Sequence, residues 1–329
     1  MSALKTIGQD LTGLLLFVGL VILFLAGEFI EIPSSLLSSG LANVTTIFLS
    51  ILLEAIPFIL IGVFASALIQ VFVSEKTLQR LIPKRFPYLA IFPAAIVGAI
   101  LPVCECAIVP VARRLMRKGV PPHLALVIMV TAPILNPIVF ASTYYAFQPD
   151  WTIVWGRMVI GFVAAVVIGG AWYRLFNNRD PLLKGTGPHQ HHHEQGSKLM
   201  LTLTHASDEF FDMGKFLIIG ALVAAIFQTF LNRELLVGIG SHALIGPAVM
   251  MIFAYVISLC SEADAFVASS FGSLFTASSL LAFLVYGPMI DFKNTLLMLS
   301  YFKKRYVVAF ILIVTVVVYA CAMLIGILT

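Results

Sequence analysis

Leu101-Pro102-Val103-Cys104-Glu105-Cys106-Ala107 places a carboxylate between two thiols inside sequence that is otherwise soluble in hydrocarbon. A charge at that depth costs about 3 kcal/mol on insertion scales, and it marks a transport path or a catalytic centre. A related interruption, Ser258-Leu259-Cys260-Ser261-Glu262-Ala263-Asp264, falls in the second half of the chain. Interruptions at corresponding places in two halves are the strongest sequence pointer to a transporter binding site.

The surrounding composition fixes the class. The chain has 329 residues, of which 60% are hydrophobic and 11% charged, with a mean hydropathy of +1.03. Soluble domains carry about 25% charged residues, so this apolar surface needs lipid around it. The runs 11–27, 44–73, 88–112, 122–147, 151–173, 209–231, 243–275, 277–300 and 306–328 approach or exceed the length of about 20 residues that crosses a bilayer. None alternates as a barrel strand does, so all are predicted helical. The first run has a weak basic region, Lys5 against Asp10, and no small-residue cleavage site after it, and it reads as a retained helix. Cys104, Cys106, Cys260 and Cys321 lie in apolar segments, where reduced thiols are the default. The net charge of +4 is carried by loops and implies no nucleic-acid partner.

The two halves repeat. Segments 54–74 and 212–232 superpose at an offset of 158, matching Phe58 with Phe216, Gly62 with Gly220, Gln70 with Gln228 and Glu54 with Asp212. Glu105 falls on Glu262 at an offset of 157, and Pro133 on Pro288 at 155. Lys and Arg mark the cytoplasmic side. They gather at Lys76, Arg80, Lys84 and Arg85; at Arg113, Arg114, Arg117 and Lys118; at Arg174, Arg179, Lys184 and Lys198; and at Lys303, Lys304 and Arg305. The first two groups flank both ends of one apolar run. A plain crossing cannot do that, whereas a re-entrant hairpin over 88–117, turning at 102–106, can. Each arm of eleven residues spans about 16 Å, half a hydrocarbon core.

The counterpart hairpin is 243–275, entering from the other face. The expected architecture is an all-α polytopic membrane protein with an inverted repeat, about seven crossings plus two re-entrant hairpins. Nine plain crossings is the alternative. Residues 1–43 form an extra N-terminal helix and loop, 44–176 the first repeat, 177–207 a cytoplasmic linker and 208–329 the second repeat. The linker carries His189, His191, His192 and His193, which read either as a solvated tether or as divalent-metal ligands.

Candidate transport-site residues follow from this plan: Cys104, Glu105 and Cys106 in the first hairpin, and Ser261, Glu262 and Asp264 in the second. Pro133, Asn136 and Pro137 form one proline-interrupted helix and Asp291, after Pro288, the matching one. Unwound backbone at membrane depth is tolerated only where it faces protein or water. Asp291 also reads as a structural partner of Lys293. Glu54 and Asp212 read as acids near helix starts, in an interfacial or a coupling role. Cys104, Cys106 and Cys260 together are the candidate ligands for a soft metal or metalloid, although small residues at close helix contacts would explain them equally. Cys321 reads as core filler.

The sets Leu101–Cys106 with Val109-Pro110-Val111-Ala112-Arg113, Thr131-Ala132-Pro133-Ile134-Leu135-Asn136-Pro137, and Ser258–Phe266 resemble the bacterial predicted permease family that includes the organoarsenical efflux permeases. The resemblance spans about residues 44–328. Within that family the chain is most similar to the permease-subunit branch of a two-component complex. The resemblance implies a multi-pass plasma-membrane permease with a smaller membrane-anchored partner. The cargo, a small solute or a thiophilic metal or metalloid, is read from the acids and thiols at the two tips.

Other classes fare worse. No Gly-x-x-x-x-Gly-Lys-Ser/Thr loop is present, so this chain does not hydrolyse ATP. His-Glu-x-x-His, Gly-x-Ser-x-Gly and Cys-x-x-Cys are absent, so the chain is not expected to be an enzyme, and no cofactor is expected. A membrane thiol oxidoreductase using Cys104 and Cys106 is the alternative. A bare scaffold for a partner would leave the polar tips unexplained.

Overall fold

Proline, glycine and charge placement divide the apolar runs into a series of helices that occurs twice. The computed structural model describes residues 39–72, 87–101, 103–148, 150–176, 179–183, 198–230, 244–272 and 274–328. The expectations for run 11–27, the basic residues 76–85 and the linker histidines lie outside them. The first series is α1 (Ser39–Phe72), α2 (Ile91–Ile100), α3 (Glu105–Arg117), α4 (Pro122–Leu135), α5 (Pro137–Ala146) and α6 (Trp151–Phe176). The second is α7 (Lys198–Phe230), α8 (Ile245–Ile257), α9 (Ser261–Ser270), α10 (Ala277–Met289), α11 (Phe292–Tyr301) and α12 (Lys304–Leu328). Each series is a long helix, two short arms, a broken helix and a final helix. The chain is an all-helical polytopic membrane protein.

Among the described residues four stretches, Pro122–Ala146, Trp151–Phe176, Ala277–Tyr301 and Lys304–Ile327, are long and apolar enough to cross a bilayer. Their outer faces are made for lipid. Val159, Val163 and Val167 on α6 are 57%, 44% and 46% exposed, and Val308, Leu312 and Val316 on α12 are 54%, 59% and 66% exposed. Spacing of four residues puts each set on one stripe, and in water such stripes would drive aggregation.

The arms of 10, 13, 13 and 10 residues reach about 15–20 Å, too short to cross alone. Their directions can be read from close contacts. A Cβ on Gly169 would meet both Ile91 and Val127, and one on Gly98 would meet Thr131, so α2 and α4 run the same way. The short connection 118–121 turns α3 back against α4. Arms α2 and α3 are therefore antiparallel, packing on α4 and not mainly on each other. In the second series Phe253 stacks on Phe283, and Ala254 lies beside Gly287, so α8 follows α10. The connection 271–276 reverses α9.

At one end of the molecule Trp172 and Phe176, late in α6, pack on Tyr306 at the start of α12. At the other end Gly156 approaches Leu281 and Gly326 approaches Ser278, both near the start of α10. Helices α6 and α12 thus run in opposite directions. Arg113 lies over the Tyr301 ring at 4.3 Å, and Leu182 bridges to Phe302, so the basic segments 113–118, 179–183 and 303–305 gather at the same end.

The breaks have local causes. Pro137 bars a helical conformation for the residue before it, and Asn136 sits extended at φ −69° and ψ 144°. In the second series Ile290 and Asp291 are both extended after Pro288. One sequence expectation changes for both of its acids: neither Glu54 nor Asp212 is near a helix start, because α1 begins at Ser39 and α7 at Lys198 and both continue unbroken beyond them. The side chain of Asp212 is not among those described.

Candidate functional site

The turns of the two helix pairs meet. Glu105 opens α3 and Ser261 opens α9, and the Ser261 hydroxyl donates to Glu105 Oε2 at 3.4 Å. Glu105 is only 1% exposed. Its other oxygen lies 3.6 Å from Lys293 Nζ, which is also 3.7 Å from Asp291 Oδ2. Lys293 comes from α11 of the second series, so a first-half acid and a second-half acid share one buried cation. Such a cation is costly to desolvate, and both acids and a carbonyl surround it. That carbonyl belongs to Ser258, which accepts from Lys293 Nζ at 3.1 Å.

The second turn is gripped residue by residue. Gln228 on α7 donates to the Ile257 carbonyl at 2.8 Å, Lys293 on α11 to that of Ser258, and Arg157 on α6 to that of Ser261 at 2.9 Å. The Cys260 thiol donates to Glu54 on α1. Ser258 needs this support. It holds a left-handed φ of 52° without being glycine, a conformation that costs about 1 kcal/mol or more and persists where neighbours impose it. Its hydroxyl donates to the Tyr255 carbonyl and accepts from the Lys293 amide.

Arg157 is the residue that the sequence reading missed. It is fully buried, and its guanidinium donates to Thr143 Oγ1 at 2.8 Å as well as to Ser261. It therefore ties α5 to the start of α9. Six residues from Trp151, an arginine reads as an interfacial side chain reaching back to water, and nothing local announces its acceptor Ser261, 104 residues away.

Of the expected site residues, Cys104, Glu105 and Cys106 line one small cavity with Cys260, Glu54, Ser258 and Lys293. It holds about 20 Å³ for water centres, room for roughly one molecule. Asp291 reaches it through Lys293. Asp264 is 2% exposed and faces α10, where a Cβ on Gly287 would stand 3.0 Å from its Oδ2. Glu262 is half-buried.

Asn136 and Asp291 do occupy matching places. Asn136 Oδ1 accepts from the amides of Ile138 and Val139, capping α5, and Asp291 Oδ1 accepts from that of Asn294, capping α11. Pro133 and Pro137 shape the first break and do not line the cavity. Among the described residues no three His, Cys, Asp or Glu side chains stand together as a metal-holding group.

Comparison with known proteins agrees with this picture. Residues 40–327 match a family described as predicted permease. The chain is 48% identical over 290 residues to the UPF0718 protein YcgR of Bacillus subtilis (strain 168), covering 87% of this chain and 98% of that one. It is 35% identical over 304 residues, 91% of this chain and 98% of the other, to a protein of Streptococcus mutans serotype c (strain ATCC 700610 / UA159) read as a subunit of a two-component membrane permease complex. No solved structure matches. With its paired half-length arms, broken helices and matched length, the chain belongs to the predicted permease family.

Proposed function

We propose that this protein is a secondary permease of the bacterial plasma membrane whose substrate passes between the tips of two re-entrant hairpins, α2–α3 and α8–α9, in an inverted repeat. The observation that carries this reading is the junction of Glu105, Ser261 and Lys293, where groups from both halves meet at the ends of helices too short to cross. Opposed directions of α6 and α12 support the inversion. The basic segments gathered at one end would face the cytoplasm.

The cargo is a small solute, with a soft metal or metalloid as the leading candidate. Cys104 and Cys106 from one hairpin and Cys260 from the other border the same cavity, and thiolates select soft centres over hard ones. The metal or metalloid would be passing cargo, bound as the thiols close around it. By analogy with the Streptococcus mutans relative, a second membrane subunit completes the transporter.

The test is reconstitution into proteoliposomes, with and without a co-purified smaller subunit, followed by flux of a trivalent organoarsenical. Wild type should move it, Glu105→Gln should abolish flux while the protein still inserts, and Cys104→Ser, Cys106→Ser and Cys260→Ser should each slow it. Flux unaffected by Glu105→Gln would remove the central-site reading, and flux unaffected by all three serine variants would remove the thiol-ligand reading.

A further inference from the structure

The central acids outnumber the bases that could neutralise them. Glu105, Glu262, Asp264 and Asp291 surround the junction, and among the described residues the bases that stand among them are Arg157 and Lys293. Lys293 is committed to Glu105 and Asp291. Arg157 directs its two Nη donors to neutral acceptors, the Thr143 hydroxyl and the Ser261 carbonyl. Glu262 and Asp264 are left over, with Arg157 Nε also unbonded, and Glu262 Oε2 likewise has no hydrogen-bond partner although its residue is only half-buried. The more deeply buried of the two acids is Asp264, 2% exposed. Its Oδ2 is buried with no hydrogen-bond partner, pressed towards the backbone of Gly287.

A bare carboxylate in that position would be an unpaired charge out of water, which proteins avoid by binding a proton or a cation. A cation needs several ligands around it, and among the described residues no group of three His, Cys, Asp or Glu side chains is assembled there. A proton needs only the one oxygen.

We propose that Asp264 carries the proton that couples this permease to the proton gradient. It takes the proton from water on one face when the hairpin tips open to that side, and releases it on the other face when they re-close. The groups facing it decide when it can let go. The charged groups that face it are Arg157 from α6, Lys293 from α11, Glu105 from α3 and Asp291 before α11. Substrate held at the Glu105 junction changes the charge that Asp264 sees, so loading and proton release are linked without direct contact. A small backbone at 287 is part of the device, since the Gly287 surface is what Asp264 Oδ2 rests against.

This inference rests on the permease reading, but its test does not need the substrate. Infrared difference spectroscopy of the purified full chain in nanodiscs at neutral pH should show the carbonyl stretch of a protonated carboxyl. That band should vanish in Asp264→Asn and persist in Glu105→Gln. Asp264→Glu and Gly287→Ala, which keep an acid but change its surroundings, should shift the band, and they decide the matter should Asp264→Asn fail to fold. No protonated-carboxyl band in wild type, a band that survives Asp264→Asn, or one indifferent to Asp264→Glu and Gly287→Ala would overturn the proposal. In proteoliposomes an imposed pH gradient should drive trivalent organoarsenical uphill in wild type, while Asp264→Asn should permit downhill movement only. If wild type moves no organoarsenical, the cargo reading fails and the infrared result still decides the role of Asp264.

Discussion

Ser261 Oγ and Glu105 Oε2 meet at 3.4 Å, each in the first residue of the second arm of its own helix pair. Helix N-termini carry about half a positive charge each, so two of them brought together attract negative groups. The chain supplies those groups itself, with Glu105 in the first turn of α3 and Glu262 and Asp264 in that of α9. Two buried bases then balance part of the charge.

Lys293 holds that balance. Lys293→Met should destabilise the protein by about 3–5 kcal/mol, because it leaves Glu105 and Asp291 buried without the cation they share. Lys293→Met combined with Glu105→Gln should recover part of the loss. Thermal unfolding of the detergent-purified variants measures both, and a double variant no more stable than the single would show that Lys293 and Glu105 are not coupled.

Arg157 should be equally exacting. Arg157→Ala removes the links to Thr143 and Ser261, and a bond from a charged donor contributes about 2 kcal/mol. The tip of the second hairpin should loosen, read as faster amide exchange over 257–264. Arg157→Lys keeps the charge but not the fork, and should fall between the two.

Gly98 tests the close packing of the first hairpin. Its Cβ would stand 1.9 Å from Thr131 Oγ1, and Thr131 bonds back to the Val127 carbonyl and cannot turn away freely. Gly98→Ala should lower the melting temperature clearly, and adding Thr131→Ala should restore much of it. A neutral Gly98→Ala would mean that α2 does not lie against α4.

Topology follows from the end-to-end order of contacts. Single cysteines at Lys118 and Lys303 should label from one side of the membrane and a cysteine at Asp150 from the other, in an otherwise cysteine-free protein. Lys118 and Lys303 reporting opposite sides would contradict the antiparallel arms.

Much of this was legible in the sequence, for physical reasons. Acids and prolines in apolar runs are expensive, so Glu105, Glu262, Asp264, Pro133 and Pro288 announce themselves, and the charges at both ends of 88–117 force a reversal. The matching of Asn136 with Asp291 was also visible, because both stand beside proline breaks and both cap the helix that follows. What stayed hidden depends on partners far along the chain. Arg157 looks interfacial until α9 is folded against α5. Lys293 looks like a local partner of Asp291, and its reach to Glu105 is a property of packing between halves. Glu54 and Asp212 lie far from their helix starts because α1 already begins at Ser39 and α7 at Lys198, well before the segments 54–74 and 212–232 whose matching drew attention to the two acids.

The central claim is that the tips of both hairpins border one site, and cross-linking between halves tests it most directly. In a Cys321→Ser background with a protease site placed in the 177–207 linker, a short bifunctional thiol reagent should join Cys260 to Cys104 or Cys106. The two halves should then migrate as one band after cleavage, and Cys260→Ala should abolish the joined band. If the wild-type cysteines give separated halves while the same reagent joins a control pair placed across α6 and α12 at positions 172 and 306, the tips do not share a site and the account is wrong.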